Sequence, residues 1–298
     1  MAKQPRSLSG RVATISGGAR GIGRATAAAL VAAGATVAIG DLDGAEQAAR
    51  ELGAGVVGLP LDVTSSESFS SFLDQAESRL GPVDIFINNA GVLSVGPFER
   101  ERDLLTERML EVNILGTLIG CKLAVQRLTT RNTGHLVNVA SAAGKVGLAG
   151  GVTYSATKHA IVGLSEALRA ELAGTKIEVH VVLPTPVATD MSLGQPRLRG
   201  VRRLKPEEVA AAIVDGLREG RPDIYVPRSI GPLLRSSQLL PHRLTDRITH
   251  LVGGDRVLAA ADPLERAAYE ARILPPAADP AANVASAAAS VANAVRDN

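Results

Sequence analysis

Along the first 228 residues, short runs rich in Val, Ile and Leu alternate with longer Ala- and Leu-rich stretches of helical period. The short runs are RVATIS (11–16), TVAIG (36–40), VVGLPL (56–61), VDIFIN (83–88), HLVNVA (135–140), IEVHVVL (177–183) and DIYVP (223–227). Most lack in/out alternation, as strands covered on both faces of a parallel sheet do. Helical periodicity fills 22–33, 66–80, 100–128, 153–173 and 206–219. The alternation predicts an α/β fold, a doubly wound and mostly parallel sheet of about seven strands with helices on both faces. Crossovers between parallel strands are expected to be right-handed.

After Arg228 the pattern changes. LPHRLTDRITHLVGG offers Pro241 for a first helical turn, a stripe of Leu244, Ile248, Leu251 and Val252, and Gly253 as a stop. That stripe suits packing on the body or on a second subunit, or a peripheral membrane contact through 229–273. ADPLERAAYEARI predicts another helix, with Asp262 as N-cap, Pro263 in the first turn and Glu265 closing a capping box. From Pro275 the chain is Ala, Pro, Asn and Ser with few large apolar residues. The expected organisation is a domain over 1–228, a helical extension over 229–274 and a disordered tail over 275–298.

Composition narrows the function. The 298 residues are 46% hydrophobic, enough for a sizeable core, and 21% charged with a net charge of +2. Nucleic-acid binding is not expected, because following a phosphate backbone needs a concentrated basic excess. The single cysteine, Cys121, excludes an internal disulfide and suits a reducing compartment; packing is its expected role. The opening MAKQPRSLSGRVATIS has no apolar leader, and no uninterrupted apolar run approaches the length of a membrane span. A cytoplasmic protein is expected. The five histidines show no metal-ligand spacing along the chain, so no metal is expected, and His159 reads as a helix-surface residue.

SGGARGIG (16–23) sits between the first strand and the first helix. Gly17, Gly21 and Gly23 permit a tight turn, close backbone approach to a phosphate and close helix–sheet packing. The helix N-terminus then offers free N–H groups to a pyrophosphate. Eighteen residues beyond Gly23, at the end of the second strand, Asp41 can accept both ribose hydroxyls of an adenosine and repel a 2′-phosphate. Arg20 within the loop argues the other way, since a guanidinium can pair with that phosphate. The balance favours NAD over NADP. The bland alternatives are a plain Gly-rich turn and, for Asp41, a helix cap.

In YSATK (154–158) a phenol and an ammonium stand four residues apart, which on a helix puts Tyr154 and Lys158 on one face. Around them the chain resembles the short-chain dehydrogenase/reductase family, from about Gly10 to Pro227. The residues that carry the likeness are the Gly-x3-Gly-Ile-Gly loop, LDV (61–63), NNAG (88–91), EVNILG (111–116), NVASAAG (138–144) and YSATK, in the family's order and spacing. The resemblance implies a Rossmann-type domain. It implies that Ile22 belongs to the phosphate loop, that Asp62 and Val63 meet the adenine, and that Asn89, Ala90 and Gly91 line the cofactor cleft. It further implies Ser141 on the substrate oxygen, Lys158 on the nicotinamide ribose, and Asn113 holding a proton-relay water. Pro184, Val187 and Thr189 would stand by the carboxamide.

The chemistry needs such residues. A hydride moves between a substrate carbon and the nicotinamide while a proton moves on or off the oxygen. A free phenol, with a pKa of about 10, is too weakly acidic to act as base at neutral pH, and a neighbouring ammonium is expected to lower it. Tyr154 is then the expected general acid/base. One departure stands out: Thr185 and Pro186 occupy positions where the family reads Gly-x, so a backbone with positive φ is costly there.

GVLSVG (91–96), GKVGLAGG (144–151) and 184–193 would flank the nicotinamide and are small and apolar. They favour an apolar secondary alcohol or ketone, lipid-, steroid- or terpenoid-like. RLRGVRRLK (197–205) reads as a solvated basic loop or as an attractor of acidic substrates. Two alternatives remain open, a 3-oxoacyl-ACP-type carbonyl reductase and a non-catalytic NAD-sensing regulator. The resemblance also implies a homodimer or homotetramer.

Overall fold

A computed structural model describes residues 5–195, 202–237, 258 and 261–274. Seven strands form one sheet: β1 (Val12–Ser16), β2 (Thr36–Asp41), β3 (Val56–Pro60), β4 (Ile85–Asn88), β5 (Thr133–Val139), β6 (Lys176–Pro184) and β7 (Asp223–Val226). All six pairings are parallel, in the order β3-β2-β1-β4-β5-β6-β7. The order reverses between β1 and β4, which opens a crevice at the carboxyl ends of those strands.

The helices are α1 (Gly21–Ala32), α2 (Ala45–Leu52), α3 (Ser66–Leu80), α4 (Asp103–Met109), α5 (Gly116–Arg131), α6 (Val152–Glu171), α7 (Pro206–Glu219), α8 (Ile230–Ser237) and α9 (Pro263–Ile273). On one sheet face Leu30 of α1, Ala48 of α2 and Ile213 of α7 pack on Ile15, Ile39, Ile85 and Val137. On the other, Phe72 of α3 and Leu128 of α5 pack on Phe86 and Leu136. This two-sided burial explains the strands' lack of alternation. Each fully buried Ile or Leu contributes about 1.5–3 kcal/mol.

Among the described residues the expected elements are present, with differences that have local causes. α2 and α8 are short, eight residues each, and their periodicity was too brief to read. The helix expected over 100–128 runs from Asp103 to Arg131 with a π turn at Leu110–Leu115. By length and composition alone that helix could cross a membrane, its most apolar 18 residues averaging a hydropathy of 1.3, although no uninterrupted apolar run in it is that long. Here it is a core helix, burying Val112, Asn113, Cys121 and Leu128. At α9, Asp262 caps the N-terminus as expected, accepting from Leu264 N–H at 2.8 Å. Glu265 does not close a capping box, because the Asp262 N–H already donates to Gly194 O at 2.8 Å. The stripe Leu244–Val252 and the tail 275–298 lie outside the described residues.

Candidate active site

The crevice between β1 and β4 is held together by short polar links. Ser16 Oγ accepts from the N–H groups of Asn89 and Ala90 at 3.1 and 3.2 Å. Asn89 Nδ2 donates to Ser16 O and Gly17 O at 3.0 and 2.9 Å. The glycine loop is thereby pinned against the end of β4. A Cβ on Gly17 would stand 2.8 Å from Ala90 Cα, and one on Gly23 would stand 2.2 Å from Gly17 O, so neither position admits a side chain. Gly17 also takes φ +66° and Gly21 φ +52°, the left-handed region.

At the start of α1 the N-cap is Arg20, whose side chain makes no cap hydrogen bond, and no acidic residue sits in the first turn. Its leading amides, at Gly21, Ile22 and Gly23, therefore lack a side-chain acceptor. Uncapped amides and a glycine surface that admits close approach fit a dinucleotide pyrophosphate.

Asp41 lies at the end of β2, where its carboxylate accepts from Ala19 N–H at 3.1 Å and Leu42 N–H at 2.9 Å. Burial pushes its pKa up, against the opposing pull of those amides and the Arg20 charge. The cap of α2 is Gly44, in the left-handed region, so Asp41 does not serve that helix. Beside it a surface hollow is lined by Ala19, Arg20, Asp43, Gly44 and Gln47. Asp62 Oδ1 accepts from Thr64 N–H at 2.9 Å, and buried Val63 packs where a Cβ on Gly116 would stand, 2.9 Å from Val63 Cγ2.

On the other side of the crevice, Tyr154, Ser141, Lys158 and Asn113 converge. Tyr154 and Lys158 fall one turn apart on α6, and both are buried. Ser141 opens a 3-10 turn after β5, its Oγ accepting from Ala143 N–H at 3.1 Å, and its hydroxyl lies close enough to the Tyr154 phenol to pull that pKa down. Lys158 Nζ donates to Val139 O at 3.1 Å and lies 5.6 Å from the Tyr154 ring centroid. A Cβ on Gly91 would stand 3.3 Å from Asn113 Oδ1 and 3.5 Å from Lys158 Nζ, so these three residues share one small space.

Asn113 sits in the π turn, a geometry that displaces one residue of the helix and often marks a functional position. Its Oδ1 accepts from Val92 N–H at 2.8 Å. Its Nδ2 donates to Val92 O at 2.9 Å and Thr157 Oγ1 at 3.1 Å. One amide N–H and the amide oxygen thus hold the 91–96 segment at Val92 while the other N–H ties to α6, a role the water-holding expectation did not include.

The expected effect of Lys158 on Tyr154 is corrected. Burial dominates and pushes the phenol up to about 12, with the Ser141 hydrogen bond opposing it. Burial likewise pushes the Lys158 ammonium down to about 8. Both shifts follow from taking charge out of water.

Pro184 ends β6, and the Thr185 N–H continues the sheet by donating to Val226 O at 2.9 Å. Thr185 does not take positive φ, so its replacement of glycine carries no strain. Val187 bridges to Leu204. Thr189 projects back over the glycine loop, its Cγ2 3.2 Å from where a Gly21 Cβ would be. In the basic run, Arg202 pairs with Glu208 and Arg203 donates to Gln195 O, so both described arginines are engaged within the chain.

Cys121 is buried with its thiol pushed up to about 12 by desolvation, as suits packing. His159 is exposed on α6. His135, Glu178 and His180 gather across β5 and β6 with donor atoms within 4.8 Å, a juxtaposition made by strand register and invisible in linear spacing. Both Glu178 oxygens accept from Arg6 at 2.6 Å, and the two imidazoles hydrogen-bond each other at 3.1 Å. The facing ring nitrogens of the two histidines are engaged with each other, and Arg6 neutralises the carboxylate.

Four residues escaped the sequence reading. Ser16 and Thr157 stand inside quoted motifs, where their backbone-anchoring roles had no signal of their own. Tyr269 and Arg266 belong to α9. The Tyr269 hydroxyl accepts from Leu93 N–H at 3.1 Å, and Arg266 donates to Leu93 O at 2.8 Å. Nothing local to 261–274 announces either contact.

The short chain dehydrogenase family model matches residues 11–197. The ketoacyl reductase HetN of Nostoc sp. is 30% identical over 230 residues, covering 74% of this chain and 79% of its own. A short chain dehydrogenase/reductase from Burkholderia phymatum, solved in complex with NAD, superposes with TM-score 0.71 at 26% identity over 77% of this chain and 93% of that one. A short-chain dehydrogenase structure from Novosphingobium aromaticivorans, 28% identical with TM-score 0.69, covers 95% of this chain and 98% of its own. That last likeness extends well beyond the family model.

Proposed function

The chain belongs to the short-chain dehydrogenase family, and on that premise we propose that it interconverts an apolar secondary alcohol and its ketone using NAD(H). The observation that carries the reading is the convergence of Ser141, Tyr154, Lys158 and Asn113 beside a glycine loop that admits a dinucleotide. A bound nicotinamide supplies the hydride donor or acceptor. The chain supplies the proton and the geometry.

In the reductive direction the substrate oxygen lies between the Ser141 and Tyr154 hydroxyls. Ser141 stabilises the charge developing on that oxygen, and Tyr154 Oη gives it a proton. A phenol pushed up to about 12 is fully protonated at neutral pH, the form this step requires. In the oxidative direction Tyr154 receives the proton, and the positive ring of oxidised cofactor would favour the phenolate. Lys158 also holds the nicotinamide ribose, and Asn113 fixes the 91–96 wall through Val92.

Asp41 supports NAD over NADP, since a buried carboxylate at the ribose position repels a 2′-phosphate. Leu93, Met109, Ala143, Val95, Leu148 and Met191 surround Tyr154 and support an apolar substrate. The name of HetN favours a second reading, reduction of a 3-oxoacyl thioester. Against it stand Asp41 and the internal pairing of Arg202 and Arg203. Exposed Leu110, Leu115 and Leu118 on the α4–α5 helix support self-association. The reading includes a cytoplasmic setting, supported by the lone buried thiol.

The test is a titration with NADH and NADPH followed by NAD-linked oxidation of aliphatic, alicyclic and steroid alcohols. Tighter NADH binding with turnover of an apolar alcohol is expected. Tighter NADPH binding, or activity confined to sugars and polyols, contradicts it. NADH binding without any turnover would leave a sensor.

A further inference from the structure

α9 lies 105 or more residues in sequence beyond the Tyr154–Lys158 pair, yet it is fastened to the substrate side of the site. Its central fastener is Arg266, 1% exposed. The guanidinium donates to Leu93 O at 2.8 Å, to Leu193 O at 3.2 Å and to Met191 O at 3.4 Å, while Glu270 one turn on balances the charge at 3.4 Å. The acceptors belong to two separate segments, 91–96 and 190–195. Leu93 and Met191 also pack in the apolar cluster around Tyr154.

Tyr269 completes the contact. Its hydroxyl accepts from Leu93 N–H at 3.1 Å, so Leu93 has both backbone polar groups held by α9. Its ring packs with Leu105, Ile273, Val92 and Met191 and lies under the Arg266 and Arg272 guanidinium groups at 5.2 and 5.6 Å. Two outer ties hold the helix itself: Arg108 donates to Ile273 O at 2.9 Å, and Arg272 pairs with Asp190 at 3.1 Å.

Burying a guanidinium is costly, and here the three carbonyls and Glu270 offset that cost only while both segments stay in place against α9. Arginine suits this because its planar fork spreads five donors over three nitrogens and so spans acceptors on separate segments, whereas the three donors of lysine radiate from one nitrogen. We propose that Arg266 is a positioning residue that clamps the 91–96 and 190–195 segments to α9, making α9 the fixed outer wall of the substrate pocket, with Tyr269 setting the size of substrate end the wall admits. This rests on the alcohol–ketone reading above for its kinetic consequence, and on the clamp geometry alone for its structural one.

The experiment compares full-length native protein with Arg266→Lys, Tyr269→Phe and Tyr269→Ala. Hydrogen exchange of peptides covering 91–96 and 190–195 is read in the NADH-bound state, and KM and kcat are read over a homologous series of secondary alcohols of increasing bulk. Arg266→Lys is expected to raise exchange in both segments and KM for the best native substrate by about tenfold, with kcat and NADH affinity within about twofold. Tyr269→Ala is expected to shift the preferred substrate toward bulkier members. Tyr269→Phe, which keeps the ring, should raise exchange only around Leu93 and stands in if Arg266→Lys fails to fold. Unchanged exchange in both segments, or loss of kcat and KM effects spread equally over all substrate sizes, would overturn the proposal. Loosened segments in a protein that turns over no alcohol would uphold the clamp and remove the dehydrogenase reading.

Discussion

The two sides of the crevice are built differently. The side proposed to take the cofactor is made of backbone: glycines that admit no Cβ, uncapped amides at the start of α1, and Asn89 and Ser16 pinning one loop to the next. The substrate side is made of side chains brought from distant parts of the chain, with Arg266 and Tyr269 of α9 clasping loops after β4 and β6. Backbone recognition tolerates little change at a few positions. Side-chain recognition can be retuned one residue at a time, which suits a pocket whose substrate varies among relatives of one fold.

The sharpest way to break this contrast is at Gly23. A Cβ there meets the Gly17 carbonyl at 2.2 Å, and a backbone oxygen cannot swing aside. Gly23→Ala should weaken NADH binding roughly 100-fold, corresponding to about 3 kcal/mol of overpacking, without altering the substrate-size profile. Isothermal titration and the alcohol series check both halves. A changed profile with normal NADH affinity would erase the division of labour.

A smaller effect is expected at Asp41. Asp41→Ala removes the charge facing the ribose and leaves the Arg20 guanidinium nearby. The NADH-to-NADPH affinity ratio should fall by about tenfold, read by fluorescence titration of both cofactors. A ratio that stays put would mean that Arg20 or Asp43 governs the choice.

How much of this was legible follows the same division. The seven strands could be read because most are nearly continuous apolar runs, and Ser66–Leu80 because its apolar period is local. The cofactor side was equally legible, since close backbone approach needs glycine at set spacing and leaves a mark in linear order. Asn113 was singled out, but its clamp on Val92 depends on a π turn that sequence period does not reveal. Arg266 was not singled out at all. Its burial comes from α9 folding back onto loops more than 70 residues away, and no periodicity encodes that. The upward shift of Tyr154 was missed for a related reason: the neighbouring charge is in the sequence, but the desolvation opposing it is a property of the packed site.

A separate effect concerns pH. Lys158 has a folded pKa depressed to about 8 from 10.5, so the unfolded chain binds more protons between those values. Stability attributable to this group therefore rises with pH across that window, by on the order of 3 kcal/mol, and is absent below pH 8. In Lys158→Met this increment should vanish, so that chemical denaturation at pH 7 and pH 10 shows a smaller pH-dependent gain than in the native protein. An identical pH dependence in both proteins would mean that the ammonium is well solvated.

The central claim, that Tyr154 exchanges the proton with substrate while the glycine side holds the cofactor independently, is tested most directly by Tyr154→Phe. The variant keeps the ring and loses only the hydroxyl. NADH titration and turnover of the best native alcohol should show affinity within about twofold of native and kcat reduced by about 1,000-fold or more. Turnover within tenfold of native would contradict the account.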